Sequence, residues 1–235
     1  MILKSKKILI TGGSRGIGFE LIKLFLKENA IVYNLSRTKP SITHPNLFHL
    51  QVNLDNINFV KNPNFKIIKS TDFDIVVNNV GLNPGVMKFE CISDELIFKG
   101  INVNILSHVL ITKHVNCKKH VFVNSMLGLV SCPENAIYCA SKAFINSFAN
   151  TLRMEGRDVF IIYPGKVDTT MFVEIKNFMC RKKENVAEGI FKGILKDLKT
   201  KYMPFSISLL PFLMSFTPLY ISDFITNFIY KKIKN

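Results

Sequence analysis

Hydrophobic and polar positions fall into two regimes along the chain. Short apolar runs, rich in β-branched residues, occur at Lys7–Ile10, Ile31–Leu35, Leu47–Val52, Asp74–Asn78, His120–Asn124 and Val159–Tyr163. Between them, helical patterns cover Gly16–Glu28, Asp94–Val115, Ala136–Glu155 and Glu184–Lys199. The apolar runs lack the alternation of a half-solvated strand. They therefore predict strands buried on both faces, as in a parallel sheet covered by helices. The β-α-β alternation with right-handed crossovers predicts an α/β, doubly wound architecture. The crossover at 53–73 contains Pro63 and reads as a short helix. No Pro/Gly/Ser-rich linker divides the chain, so residues 1–200 are expected to form one domain. Residues 201–235 are a hydrophobic extension and not a separate domain.

The first strand runs directly into Thr11-Gly12-Gly13-Ser14-Arg15-Gly16-Ile17-Gly18 and then a helix. Glycines here permit a sharp turn and close approach to a pyrophosphate, whose charge the helix N-terminus stabilises. A strand, glycine-rich turn and helix in that order point to a dinucleotide in a Rossmann-type domain. The second strand ends Asn34-Leu35-Ser36-Arg37, without the acid that accepts hydrogen bonds from the ribose of NAD. Arg37 and Arg15 instead suit a 2′-phosphate, which favours NADP(H) over NAD(H).

Tyr138 and Lys142 lie four apart on one predicted helix and share a face. A tyrosine near its ordinary pKa of about 10 is a weak proton-transfer group, and an adjacent ammonium should favour its phenolate. The pair alone is expected by chance in a chain with six Tyr and 26 Lys. Its company changes the reading. Ser125 closes the fifth strand, at the carboxyl end where parallel sheets place ligands. Its hydroxyl can meet the same substrate oxygen as Tyr138.

Together these residues resemble the short-chain dehydrogenase/reductase family, over roughly residues 6–200. The family's T-G-x-x-x-G-x-G turn is matched by Thr11, Gly12, Gly16 and Gly18. Its N-N-A-G motif appears as Asn78-Asn79-Val80-Gly81, and its Y-x-x-x-K as Tyr138 and Lys142 after Ser125. Its P-G-x-V-x-T segment is Pro164-Gly165-Lys166-Val167-Asp168-Thr169. The resemblance implies that Tyr138 moves a proton to or from the substrate oxygen and that Ser125 polarises the carbonyl. Lys142 would hold the nicotinamide ribose and tune Tyr138. The family's catalytic Asn, which supports a water-linked proton path, maps to Asn104; Ser107 supplies the small residue three further on. Ser14, Arg15 and Ile17 would join the phosphate-binding turn. Asn53, where the family commonly has Asp, and Leu54 would flank the adenine, with Asp55 close by. Asn79 and Gly81 would line the adenosine side, while Pro164, Gly165, Val167 and Thr169 would contact the carboxamide or pyrophosphate. The family's habit of pairing through the helices of Asn104 and Tyr138 implies a homodimer. Asn104 and Ser125 are only 21 residues apart, so the loop between them must be clipped.

Composition narrows the remaining classes. Hydrophobic residues make up 48% and charged residues 20%, which supplies a core and excludes wholesale disorder. Five cysteines without C-x-x-C pairing argue against a zinc site or disulfide framework and for a reducing, cytoplasmic setting. The apolar run of MILKSKKILI is too short for a signal-peptide core. The five His lie in no metal-binding spacing; they read as surface or helix-face residues, and no metal is expected. Net charge is +14, and residues 176–235 hold 11 Lys and Arg against 4 Asp and Glu, half of that excess. Without a recognisable binding motif this reads as a Lys-rich surface and not a nucleic-acid groove.

Tyr202–Ser222 carries no charge and is dense in Phe, Leu, Ile and Met. It is long enough to cross a bilayer, but Pro204, Pro211 and Pro218 interrupt any single helix. Two readings stay open: a lid over the substrate end of the sheet, or peripheral membrane contact through 202–230. Both imply a hydrophobic substrate. The expectation is an NADP(H)-dependent oxidoreductase acting on a hydrophobic ketone, aldehyde or secondary alcohol. The alternative is a non-catalytic cofactor-binding scaffold or redox-sensing regulator. Substrate recognition in such proteins lies in the loop after Thr169 and in the C-terminal segment.

Overall fold

A computed structural model describes residues 2–169 and 180–234, apart from the side chains of 214, 229 and 231–234. The loop expected after Thr169 falls largely at 170–179, outside the described residues.

The first apolar run forms β1 (Lys7–Thr11), which sends Ile8 and Ile10 to one face and Leu9 to the other, all fully buried. With both faces covered, alternation has no reason to appear in its sequence. The same logic carries β2 (Ile31–Ser36), β4 (Phe73–Asn78), β5 (Cys117–Val123) and β6 (Asp158–Pro164). The third run, β3 (Leu47–Gln51), departs from it: the strand lies at the sheet edge and is nowhere fully buried. Its Phe48 stays exposed, stacked on Tyr33 at 5.1 Å.

Helices α1 (Gly16–Lys27) and α6 (Lys183–Leu195) cover one face, closing a core with Ile8, Val77, Val121 and Phe160. The other face carries α2 (Pro63–Lys69), α4 (Ser107–His114) and α5 (Ala136–Met154). Pro63 opens α2, where its missing N–H is no loss, and the Asn62 side chain caps the Asn64 N–H at 2.9 Å. The expected helix Asp94–Val115 is divided into α3 (Asp94–Ile101), a π-helical turn at Asn102–Leu106, and α4. Only Val115 and Asn116 separate α4 from β5, so the clipped loop is present.

The sheet has seven strands in the order β3-β2-β1-β4-β5-β6-β9, every neighbouring pair parallel. The seventh, β9 (Thr200–Met203), is half-buried at the far edge, and its TKYM sequence lacks the apolar run that marks the inner strands. Tyr202 and Met203 therefore belong to the sheet. Two short strands, β7 (Val167–Asp168) and β8 (Arg181–Lys182), pair beside α6. After β9 come a 3-10 turn (Phe205–Leu209), α7 (Leu210–Phe216) and α8 (Leu219–Lys234). Pro211 lies in the first turn of α7 and Pro218 precedes α8, as the breaks in the sequence require. No described helix is long and apolar enough to cross a membrane. Chain order reverses between β1 and β4, and doubly wound sheets open a crevice at that switch point.

Candidate active site

The crevice is a cleft of about 550 Å³ at the carboxyl ends of the strands. At its floor, Gly12 and Gly16 adopt φ of +69° and +61°, a left-handed backbone that glycine reaches without strain. Gly13 is required for space. A Cβ there would come within 2.5 Å of the Ile22 Cδ1 and 2.6 Å of the Asn34 Oδ1. The Gly13 N–H donates to that Asn34 oxygen at 2.9 Å, so a buried side chain of β2 fixes the turn. The first-turn N–H groups of α1 have no intrahelical partners and no acidic neighbour, which makes this end of the cleft electropositive.

Thr11 and Gly18 do not line the cleft but hold the turn to β4. The Thr11 Oγ1 accepts from the backbone N–H groups of Asn79 and Val80, both at 3.0 Å. The Asn79 Nδ2 donates to the Thr11 carbonyl at 2.9 Å, and Gly18 leaves room for that amide. Ser14, Arg15, Gly16, Ile17, Arg37, Asn53, Leu54, Asn79 and Gly81 all line the cleft, with Asp55 on the same wall. Arg15 and Arg37 are exposed at its rim. At the other end lie Ser125, Tyr138, Lys142, Pro164, Gly165, Val167 and Thr169.

Tyr138 and Lys142 project from the first turns of α5, and Ser125 stands just beyond β5, all three buried. Ser125 and Tyr138 are hydrogen-bonded through their side chains. The Lys142 Nζ lies 5.8 Å from the centre of the Tyr138 ring. The expectation that this ammonium lowers the Tyr138 pKa is corrected by the geometry. Burial pushes Tyr138 up to about 12, the Ser125 bond pulling it back, and the same burial pushes Lys142 down to about 8. Desolvation disfavours both charged forms.

Asn104 lies in the π-helical turn and is fully buried behind the cleft, not on its wall. Its Oδ1 accepts from the Leu82 N–H at 2.9 Å, and its Nδ2 donates to the Leu82 carbonyl at 2.8 Å and the Ser141 Oγ at 3.1 Å. The amide thus straps the loop after β4 to the helix layer.

His108 lies on α4, on its buried face, whereas His120 lies in β5 and is buried, neither a surface nor a helix-face residue. The His108 Nε2 lies 2.8 Å from the Val80 carbonyl. A carbonyl only accepts, so Nε2 carries the hydrogen. Burial, aided by the nearby Lys142 charge and opposed by the Val80 bond, pushes His108 down to about 3 and keeps it neutral. A lone His in a helical pattern carried no signal for this place, and Asn34 likewise looked like any strand residue. Among the described residues no group of His, Cys, Asp and Glu could hold a metal ion.

The short chain dehydrogenase family model matches residues 6–179. Benzil reductase ((S)-benzoin forming) of Bacillus subtilis is 26% identical over 72% of this chain and 77% of its own length. Some relatives are longer: the chain spans 61% of an uncharacterised oxidoreductase of Schizosaccharomyces pombe, at 29% identity over 69% of this chain. A short chain dehydrogenase from Burkholderia cenocepacia in complex with NADP superposes with a TM-score of 0.76 at 20% identity, covering 93% of this chain and all of the other. 4-Hydroxyisoleucine dehydrogenase complexed with NADH gives 0.75 at 23% identity, covering 84% and 96%. These structures share the seven-stranded fold.

Proposed function

The chain belongs to the short-chain dehydrogenase family, and on that premise we propose that it is an NADP(H)-dependent reductase of a hydrophobic ketone or aldehyde. The observation that carries the cofactor choice is the rim of the cleft at the end of β2. Arg37 and Arg15 line it together, and Ser36 and Thr38, not an acid, flank Arg37. Two guanidinium groups suit the extra phosphate of NADP(H), whereas a carboxylate at this position would repel it. The glycine cradle fits a pyrophosphate: Gly12 and Gly16 shape the turn, Gly13 has no room for a side chain, and α1 supplies unpaired N–H groups.

A nicotinamide held in this cleft would supply or accept the hydride. Everything else falls to the chain's own residues. Ser125 donates to the substrate oxygen and holds it beside Tyr138. The Tyr138 hydroxyl, kept protonated by burial, delivers its proton to that oxygen as the carbonyl is reduced. Lys142 would hold the ribose, and its ammonium, 5.8 Å from the centre of the Tyr138 ring, favours the phenolate as it develops. Asn104 acts as a positioning residue that sets Leu82 and Gly81 against the cofactor. A hydrophobic substrate is supported by the apolar side chains at the substrate end, where Val167 lines the cleft and Ile207 packs behind the Gly165 wall. The named activity of the Bacillus subtilis relative, reduction of benzil, points the same way.

The test is loss of NADPH absorbance with a panel of hydrophobic ketones and aldehydes, repeated on Tyr138→Phe. Turnover that falls about 100-fold or more in the variant while NADPH still binds supports the assignment. The scaffold alternative requires that no carbonyl be reduced and that Tyr138→Phe change nothing.

A further inference from the structure

The segment after β9 builds an apolar surface facing away from the protein. In α8, Ser222, Thr226 and Tyr230 are spaced four apart and form the inward stripe. Ser222 is buried, Thr226 is half-buried, and the Tyr230 hydroxyl donates to the Glu134 Oε2 at 2.7 Å. Glu134 lies in the loop between Ser125 and Tyr138, so this contact ties α8 to that loop. The opposite face of the helix presents Tyr220, Phe224 and Phe228, which are 74%, 72% and 59% exposed. The usual amphipathicity is inverted along these two stripes: Ser222, Thr226 and the Tyr230 hydroxyl face the protein, whereas Tyr220, Phe224 and Phe228 face out, flanked by the exposed Asp223 and Asn227. In α7, Phe212 and Phe216 continue the surface, their rings 4.8 Å apart and both exposed. The base of the segment is firmly seated, with Ile207 buried in the core formed by Phe122, Ile145 and Tyr163. Exposed apolar side chains gathered in this way on two successive helices mark a docking site.

We propose that α7 and α8 dock the protein onto an anionic bilayer, lying in the plane of its interface with the outward aromatic residues in the acyl boundary. Charge selects this partner. Asp223 is the sole acid in residues 205–235, Lys231, Lys232 and Lys234 follow the last apolar turn, and the whole chain carries +14. Such a surface is attracted to anionic headgroups and repelled by a second copy of itself. Length sets the geometry: α8 has 16 residues and α7 has 7, both short of the roughly 20 that a crossing helix needs. The inward stripe then keeps the loop that links Ser125 to Tyr138 beside the lipid surface. This docking rests on α7 and α8 and is independent of the reaction assigned to the cleft.

The experiment is flotation of the full chain with vesicles of phosphatidylcholine alone and of phosphatidylcholine with phosphatidylglycerol, at low and high salt. It is repeated on the double variant Phe224→Glu/Phe228→Glu, with sedimentation velocity on both proteins. NADPH binding and thermal melting confirm that the variant is folded, since both side chains point to solvent. The expected result is flotation with the anionic vesicles, weakened by salt and reduced about tenfold or more in the variant. Absence of flotation, equal flotation with neutral vesicles, or equal flotation of the variant would overturn the proposal. So would a dimer that the double substitution dissolves without any vesicle binding, because the surface would then be a contact between copies.

Discussion

The Lys142 Nζ donates to the Val123 carbonyl at 3.1 Å, joining the helix that carries Tyr138 to the strand that leads into Ser125. This bond adds to the packing of Ile145 and Ala149 against Phe122 and Ile161, which sets α5 beside β5 and brings two hydroxyls 13 positions apart in sequence into one hydrogen bond. It also holds a lysine where burial lowers its pKa to about 8.

That shift has a consequence for stability. Between about pH 8 and the ordinary lysine value near 10.5, the unfolded chain binds a proton at Lys142 that the folded chain does not. Stability contributed through this group therefore rises with pH across that window. Tyr138, raised to about 12, acts in the opposite direction, but only above about pH 10, where the unfolded tyrosine begins to ionise. Urea unfolding of wild type and Lys142→Met should show the wild type gaining on the variant between pH 8 and 10, by on the order of 2 kcal/mol. A gap constant with pH would mean that Lys142 is not desolvated.

Asn104 uses both ends of its amide on Leu82. Asn104→Asp keeps an acceptor for the Leu82 N–H but sets a carboxylate against the Leu82 carbonyl, and Asn104→Ala leaves both backbone groups unpaired. Each variant should lose about 1–3 kcal/mol in denaturant melts. Each should also lower kcat/KM by misplacing the loop that begins at Gly81. Variants as stable as wild type would show that the strap carries no load and that Asn104 acts only through solvent.

Gly13→Ala tests the turn by crowding alone, since its φ is unremarkable. The added methyl meets Ile22 and the Asn34 carboxamide, and should cost about 1–3 kcal/mol. NADPH affinity should fall as well, because the displaced Asn34 no longer holds the Gly13 N–H. Calorimetry with and without NADPH reads both effects; unchanged melting and affinity would mean the turn adapts freely.

The parts of this molecule that were legible in its sequence are those whose signal is local. Thr11 to Gly18, Asn79 to Gly81, and Tyr138 with Lys142 each depend on spacing within one turn or helix, and all converge on one cleft. The inner strands were legible because burial on both faces leaves them uniformly apolar. What was hidden depends on partners distant in sequence. Thr200–Met203 is a strand only because β6 offers it an edge, and its half-exposed residues carry no apolar run. His108 and Asn34 look unremarkable until Val80 and Gly13 are placed beside them. The acid–base balance of Tyr138 was misjudged for the same reason. The ammonium four residues away is visible in the sequence, whereas the desolvation that raises the tyrosine pKa is a property of the assembled core.

The proposed role of Arg37 and Arg15 is to select the 2′-phosphate of NADP(H). Titration of purified protein with NADPH and with NADH, followed by nicotinamide fluorescence and repeated on Arg37→Ala, tests it most directly. NADPH should bind more tightly than NADH, and that preference should collapse in the variant, with NADH affinity little changed. Equal affinity for the two cofactors in the wild type, or a preference that survives loss of Arg37, would contradict it.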